Sequence, residues 1–445
     1  MTATTASPSP PIDTRAIWAI ALPAMVTNVA TALIGIGDMW IVGRLGDAPT
    51  QGAVDIGARL FAVLFTVMNF LKTGTTGLVA QEGTRSGAHA QALVLLRGLL
   101  VGLAIAALLL LAKPLLLPFA LDALGADDKV RQAARVYADI RYWSAPAVMV
   151  NFAMIGFLVG QRRMKTVLLV EVAYNLLNVG LGLWFVLGLD WGIAGIGWSS
   201  FIAEFAKLAV LGAILLAGAQ GAALLARAKA GGVAKLSELA PFLSVNRDLF
   251  LRTVVLVIAL AGITRLSAER GAVELAANGI IYQLFILTAL LLDGFENAAQ
   301  VLNGERMGES DRAGFTGYIR AVLWRGMGAA ALVAMAFALF ADPILASFAA
   351  TDAVRDAAQE LGPWLVLIPF LGLAGFVLDG VYVGASWTHK LLWTMVGAAI
   401  VYGVALWLSW PLGSHGLWLS FSLFLVARAA LQAAFMPGLI RKDFA

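Results

Sequence analysis

Apolar stretches of about 20 residues, the length that crosses a bilayer as a helix, recur from Ile17 to Pro437 with only short polar joints between them. Inside hydrocarbon a chain must satisfy its own backbone, which leaves helices or closed barrels. Only 13% of the 445 residues are charged and 60% are hydrophobic, against about 25% charged in soluble domains. A water-soluble fold is excluded. The pattern predicts an all-α membrane protein of twelve spans: near 17–42, 54–80, 91–112, 137–160, 166–188 and 193–217, then 250–268, 276–302, 320–341, 363–386, 389–411 and 416–438.

Orientation follows from Lys and Arg, which accumulate in cytoplasmic loops. With the amino terminus inside, the inner loops and tails hold Arg15, Arg85, Arg97, Arg162, Arg163, Lys165, Arg227, Lys229, Lys235, Arg247, Arg252, Arg306, Arg312, Arg320, Arg325, Lys390, Arg441 and Lys442, eighteen against about ten outside. Both termini are expected in the cytoplasm. Residues 1–15 lack an apolar core with a cleavage site and read as a disordered tail. The expected domains are lobes at 16–218 and 249–438, a cytoplasmic linker at 219–248, and a tail at 439–445. The net charge of +4 and pI near 9.4 come from membrane loops, so no nucleic-acid partner is implied. Cysteine is absent, and His89, His389 and His415 are too scattered for a metal centre.

The halves also resemble each other. Gly52–Gln81 lies over Gly271–Gln300 without a gap, at an offset of 219; Pro146 then pairs with Pro369 and Gly160 with Gly384, at 223 and 224. Two six-span repeats of the same topology imply a pseudo-two-fold axis along the membrane normal.

A charge at mid-membrane costs about 2.5–3.5 kcal/mol even on insertion scales, so each needs a reason. Asp38, Asp293, Glu296 and Asp379 fall inside expected spans. Glu204 and Lys207, three apart on one helix, have the spacing of an ion pair. Lys72 and Arg428 have stems long enough to snorkel to the cytoplasmic surface. No nucleophile, base and orienting group occur at a recognisable spacing, so an enzyme is not expected.

Several segments resemble one family. LPAMVTNVATALIGIGDMWIVGRLG has a proline, an aspartate 15 residues later and a VGRLG exit; FLKTGTTGLVAQ, NRDLFLRT, LLDGF, LDGVYVGAS and HGLWLSFSLFLVAR follow in order. Together they are similar to the DinF branch of the multidrug and toxic compound extrusion (MATE) family. The resemblance implies a V-shaped pair of six-helix lobes and drug efflux by alternating access, driven by protons or sodium. It implies Asp38 as the proton-binding group, Asn175, Asn178 and Ser200 as its partners, and Pro23 as a bending point of span 1. Relatives carry a second aspartate where this chain has Gly182, and the sodium-coupled branch has an acid in span 7 that is absent here. Both departures favour a proton over sodium as coupling ion, with no other cofactor.

The expected function is antiport of amphipathic, cationic organic molecules by a monomer in a bacterial inner membrane. Asp293, Glu296, Asp379, Tyr282 and Trp40 are candidate substrate contacts, the aromatics through stacking or cation–π contact. Rivals are a sodium-coupled antiporter, a flippase of lipid-linked precursors, and a non-transporting sensor or scaffold. A flippase calls for a basic cleft, whereas the mid-membrane charges read acidic; a sensor calls for a soluble domain. Reporter fusions at both termini and within 219–248 should all report the cytoplasm; a periplasmic 219–248 would overturn the two-repeat topology.

Overall fold

The computed structural model describes residues 12–43, 48–123, 128–218 and 220–445, without the side chains at 32–39, 42, 43, 48–51, 123, 128, 236 and 238. Helices follow one another as α1 (Thr14–Gly43), α2 (Ala48–Met68), α3 (Phe70–Arg85), α4 (Ala88–Ala123), α5 (Asp128–Tyr142), α6 (Ala145–Gly160), α7 (Met164–Leu183) and α8 (Gly192–Ala217). Next come α9 (Gly221–Ala230), α10 (Leu236–Ala268), α11 (Ala272–Gly308), α12 (Arg312–Phe348), α13 (Asp352–Glu360), α14 (Gly362–Gly384), α15 (Thr388–Ser409) and α16 (Gly413–Asp443). The described residues contain no strand.

Nine of these helical stretches are long and apolar enough to cross a membrane, or up to ten when the bent pair α5–α6 counts as one. The last stretch, Thr388–Asp443, is 56 residues long, twice a span, and holds both α15 and α16. With α1 added, the helices account for the twelve expected spans. Their outer surfaces carry bare Leu111, Leu115, Phe119, Trp324 and Trp407, which suit lipid and not water.

The fourth span departs from the expected single helix at 137–160. It bends by 52° between α5 and α6, where Pro146, in the first turn of α6, cannot donate a backbone bond into the preceding turn. Of 219–248, expected as a linker, the described residues 220–248 are largely helical, with α9 and the start of α10 inside them.

The chain divides into two compact units: a C-unit of residues 1–25, 80–85 and 251–445, and an N-unit of residues 26–79 and 86–250. Three of the divisions fall inside helices α1, α3 and α10, the first of them two residues after Pro23, and the fourth falls at the end of α3.

Within each unit the same helix contacts recur. In the N-unit, Gly156 and Gly160 of α6 press on the carbonyls of Lys72 and Thr76 in α3; in the C-unit, Gly380 and Gly384 of α14 press on those of Glu296 and Gln300 in α11. A Cβ at any of the four would come within 3.0 Å of an oxygen. Gly102 meets Met149, and Gly326 meets Leu373. Every partner in one unit has its counterpart 224 positions on. The caps repeat too. After α6, Arg162 turns to φ 59° and Arg163 N–H donates to Leu158 O at 2.8 Å; after α14, Ser386 turns to φ 59° and Trp387 N–H donates to Tyr382 O at 2.8 Å. Both are Schellman closures, which satisfy the last carbonyls of a helix.

The repeat is therefore present, but its first segment is misaligned by the sequence. Offset 219 over Gly52–Gln81 should be 224, pairing Thr76 with Gln300, while the Gly160–Gly384 pair stands and Pro146–Pro369 is one residue out.

Gly384→Ala should cost about 1–3 kcal/mol by overpacking, because its new methyl meets backbone of α11. Gly403→Ala in α15, where the space is open, should be neutral or stabilising. Thermal unfolding of the purified variants in one detergent checks both.

Candidate functional site

The first polar cluster lies in the N-unit between α7 and α8, which run antiparallel through a π turn at Trp184–Gly188. Helical spacing puts Glu171, Tyr174, Asn178 and Gly182 on one face of α7, all of them buried, and Ile196, Ser200, Glu204 and Lys207 on the facing side of α8, buried as well. Asn178 Nδ2 donates to Ser200 Oγ at 3.1 Å. The hydroxyl of Ser200 also accepts from Arg141 of α5 at 3.2 Å, and the same guanidinium reaches Tyr137.

Asn175, expected beside them, is not bonded to either residue; both its amide atoms and Asn178 Oδ1 are buried without a hydrogen-bond partner. Asp38 stands in α1, but its side chain lies outside the described residues. One turn further along α1, Ile41 is fully buried and lies 3.1 Å from where a Cβ of Gly182 would stand. This contact brings α1 against the face of α7 that carries Asn178.

Deeper along the same seam, Lys207 Nζ sits 3.3 Å from Glu204 Oε2 and 3.5 Å from Glu171 Oε1. Its ammonium is 3.8 Å from the centre of the Tyr174 ring, and Asn151 Nδ2 of α6 donates to Glu204 Oε2 at 2.9 Å. The expected Glu204–Lys207 pair is thus real, with a third member that the sequence reading passed over. Glu171 lies within the expected span 166–188, four and seven residues before Asn175 and Asn178, and that spacing was a usable signal.

The second cluster lies in the C-unit. Asp379 of α14 is fully buried. Arg428 of α16 holds it with two bonds, Nε to Oδ1 at 3.2 Å and a terminal N–H to Oδ2 at 2.7 Å. Arg252 of α10 pairs with Oδ2 and Gln432 Nε2 donates to Oδ1. Tyr382 in turn donates to the carbonyl of Gln432 at 2.6 Å. Asp293 and Glu296 of α11 are half-buried and act on both guanidiniums through their charge.

Two expectations fail at this cluster. Arg428 does not snorkel: it is 2% exposed, because a buried carboxylate on the neighbouring helix supplies what the membrane surface would. Arg252 is no loop residue: α10 begins well before it, and its side chain is 12% exposed.

The aromatic candidates join neither cluster. Tyr282 packs on the apolar core of the C-unit with its ring 6.2 Å from that of Phe285. Trp40 belongs to the N-unit and is 55% exposed. Pro23 lies inside α1, which continues through it.

A helical chain with nine or ten apolar spans, repeated within itself and carrying buried charges on facing helices, has the build of a polytopic membrane protein. A family model described as MatE matches residues 23–184 and again 250–408; the two matches end 224 residues apart, the offset of the helix contacts. The DNA damage-inducible protein F of Escherichia coli (strain K12) is 31% identical over 427 residues, covering 94% of this chain and 91% of that one. A probable multidrug resistance protein NorM of Rhizobium meliloti is 26% identical, covering 95% and 92%. A crystal structure of MATE in the bent conformation matches with a TM-score of 0.84 over 96% of each chain at 17% identity, a likeness of fold. The chain belongs to the MatE family of multi-pass membrane transporters.

Asp379→Leu should strand two buried guanidiniums and cost about 3–5 kcal/mol, as expected when one partner of a buried pair is removed. Adding Arg428→Met should restore a large part of that loss. The thermal midpoints of the two variants in detergent, compared with the parent, test this coupling.

Proposed function

We propose that the chain exports amphipathic organic compounds across a bacterial inner membrane by alternating access, in exchange for protons bound at Asp38. The MatE match and the multidrug resistance relative support the transport class. Support for the ion comes from one contact. Arg141 donates to Ser200 Oγ at 3.2 Å, so a sodium ion using that oxygen would face a guanidinium at close range. Hard cations gather oxygen ligands, and a fixed cation beside one of them opposes binding. A proton needs a single carboxylate and leaves Ser200 to its donors.

Asn175, whose buried Nδ2 lacks a partner, would stabilise the charged form of Asp38 by donating to it, while desolvation favours the neutral form; the unpartnered Oδ1 of Asn178 would accept from the neutral form. That balance suits a group that titrates during transport. Proton and substrate then bind antagonistically, as linkage requires of an antiporter.

A preference for cations rests on the C-unit. Two guanidiniums, Arg252 and Arg428, face three carboxylates, Asp379, Asp293 and Glu296, a formal balance of minus one. Asp379 is engaged by both arginines, so substrate attraction falls mainly to Asp293 and Glu296. The cluster remains acidic even with two arginines in it, which weighs against a flippase for pyrophosphate-linked lipids. The protein is expected to act as a monomer with both termini in the cytoplasm.

Asp38→Asn should abolish pH-driven efflux in inverted vesicles while the protein stays folded. Gly182→Asp should shift the pH optimum, because two neighbouring acids do not ionise independently; its side chain needs only a small retreat of Ile41. An Asp38→Asn protein that exports at the parental rate with unchanged pH dependence overturns this reading.

A further inference from the structure

A cavity of about 540 Å³ opens in the N-unit where the start of α4 meets α9, and none of its lining residues belongs to either polar cluster. Its volume is that of a ligand pocket, about 300–1,000 Å³. The polar lining comes from Ser86 just before α4, His89 in its first turn and Arg227 in the last turn of α9; Ala90, Leu93 and Ala226 supply the apolar lining. The pattern of α9 puts Arg227 there. Gly221, Ala223 and Leu224 are buried, and Arg227, one turn after Leu224, stands half-buried at the cavity. No carboxylate among the described residues pairs with it. A guanidinium fork matches two oxygens of a phosphate at once, and the Ser86 hydroxyl and a His89 N–H each offer one further donor.

A second feature separates a lipid from a soluble anion. The cavity lies at one end of the membrane span Ala88–Asp122, and Leu93 in its lining opens an apolar stripe. Leu93, Leu96, Leu100 and Leu103 follow at steps of three and four, so they share one face of α4; Leu100 and Leu103 are 38% and 52% exposed. At 1.5 Å per residue the stripe runs about 15 Å, half of the roughly 30 Å hydrocarbon core. That is the depth of one leaflet. A cationic pocket continued by an apolar track of this length fits a molecule with a phosphate at one end and an acyl chain at the other.

We propose that this cavity binds the phosphate headgroup of an anionic phospholipid of the cytoplasmic leaflet, with one acyl chain laid along the Leu93–Leu103 face of α4. Basic pockets beside membrane helices on that side collect anionic headgroups. A zwitterionic lipid would bring an ammonium of its own toward Arg227 and is disfavoured. The choice of leaflet rests on the orientation proposed above, in which 219–248 is cytoplasmic; the site itself does not.

The test uses purified full-length protein stripped of lipid in detergent, then titrated with phosphatidylglycerol, with phosphatidylcholine of the same chains, or with inorganic phosphate. Bound lipid is counted by native mass spectrometry and the unfolding midpoint is followed in parallel. Phosphatidylglycerol should bind saturably and raise the midpoint, and the other two should do neither at matched concentrations. Arg227→Gln should weaken binding by about tenfold or more, as expected for loss of a charge-assisted contact. Ala226→Glu, which adds a carboxylate to the lining, should abolish it, while Lys229→Gln, on the same helix but outside the lining, should keep the parental affinity. If Arg227→Gln and Lys229→Gln weaken binding equally, or Ala226→Glu leaves it intact, the attraction is that of a basic surface and the proposal fails. Protection by inorganic phosphate equal to that by lipid would make the cavity a soluble-anion site and also overturn it. A reporter placing 219–248 in the periplasm would overturn the orientation and the leaflet alone, with the titrations still deciding the cavity.

Discussion

A charge carried into hydrocarbon has to find its counter-charge inside the protein, and most of the polar architecture of this chain follows from that. Asp379 is the clearest case. With water removed, its carboxylate is worth burying only if its oxygens are occupied, and donors from α10 and α16 converge on α14 to occupy them. The bond set fixes three helices in one relation. Such a pair adds little net stability over an apolar substitute, yet removing one member is expensive, so it acts as a constraint on arrangement more than as a source of stability.

Backbone contact supplies the complementary constraint. Between apolar helices in lipid, association depends on close packing through small residues. The glycines of α6 and α14 bring their helices onto the carbonyls of α3 and α11. These contacts, with the two Schellman closures, recur at a single offset even where side-chain identity has drifted. Lys72 in one unit corresponds to Glu296 in the other, and the two share nothing except a carbonyl that a glycine must reach. Backbone geometry has outlasted chemistry in the repeat.

This explains which parts of the sequence were legible. Span number and the twofold repetition are carried by hydropathy, which survives any conservative exchange, so they could be read. The first repeat alignment slipped by five residues because GAV and AQ are common in apolar helices, whereas the informative glycines are legible only once their partners are known. Arg428 was read as snorkelling because its partner Asp379 is 49 residues away on another helix, and no local spacing announces it. Arg252 was read into a loop through the polar run NRDLFLRT, although Asn246 and Asp248 are themselves buried. The family resemblance led to Asn178 and Ser200, which do meet. It offered nothing on Arg141, whose partner Ser200 is 59 residues away on another helix.

The two units thus share a backbone plan and differ in how each closes its charge balance. The C-unit uses arginines: Asp379 is paired with the guanidiniums of Arg252 and Arg428. The N-unit gathers Glu171 and Glu204 around Lys207 and sets Arg141 near them on the neutral hydroxyls of Ser200 and Tyr137, so its two carboxylates are matched by two cations. In both units the counter-charge comes from a neighbouring helix and not from the membrane surface, because a charge inside hydrocarbon has to be met within the protein, and the charge set fixes how the helices of each unit meet.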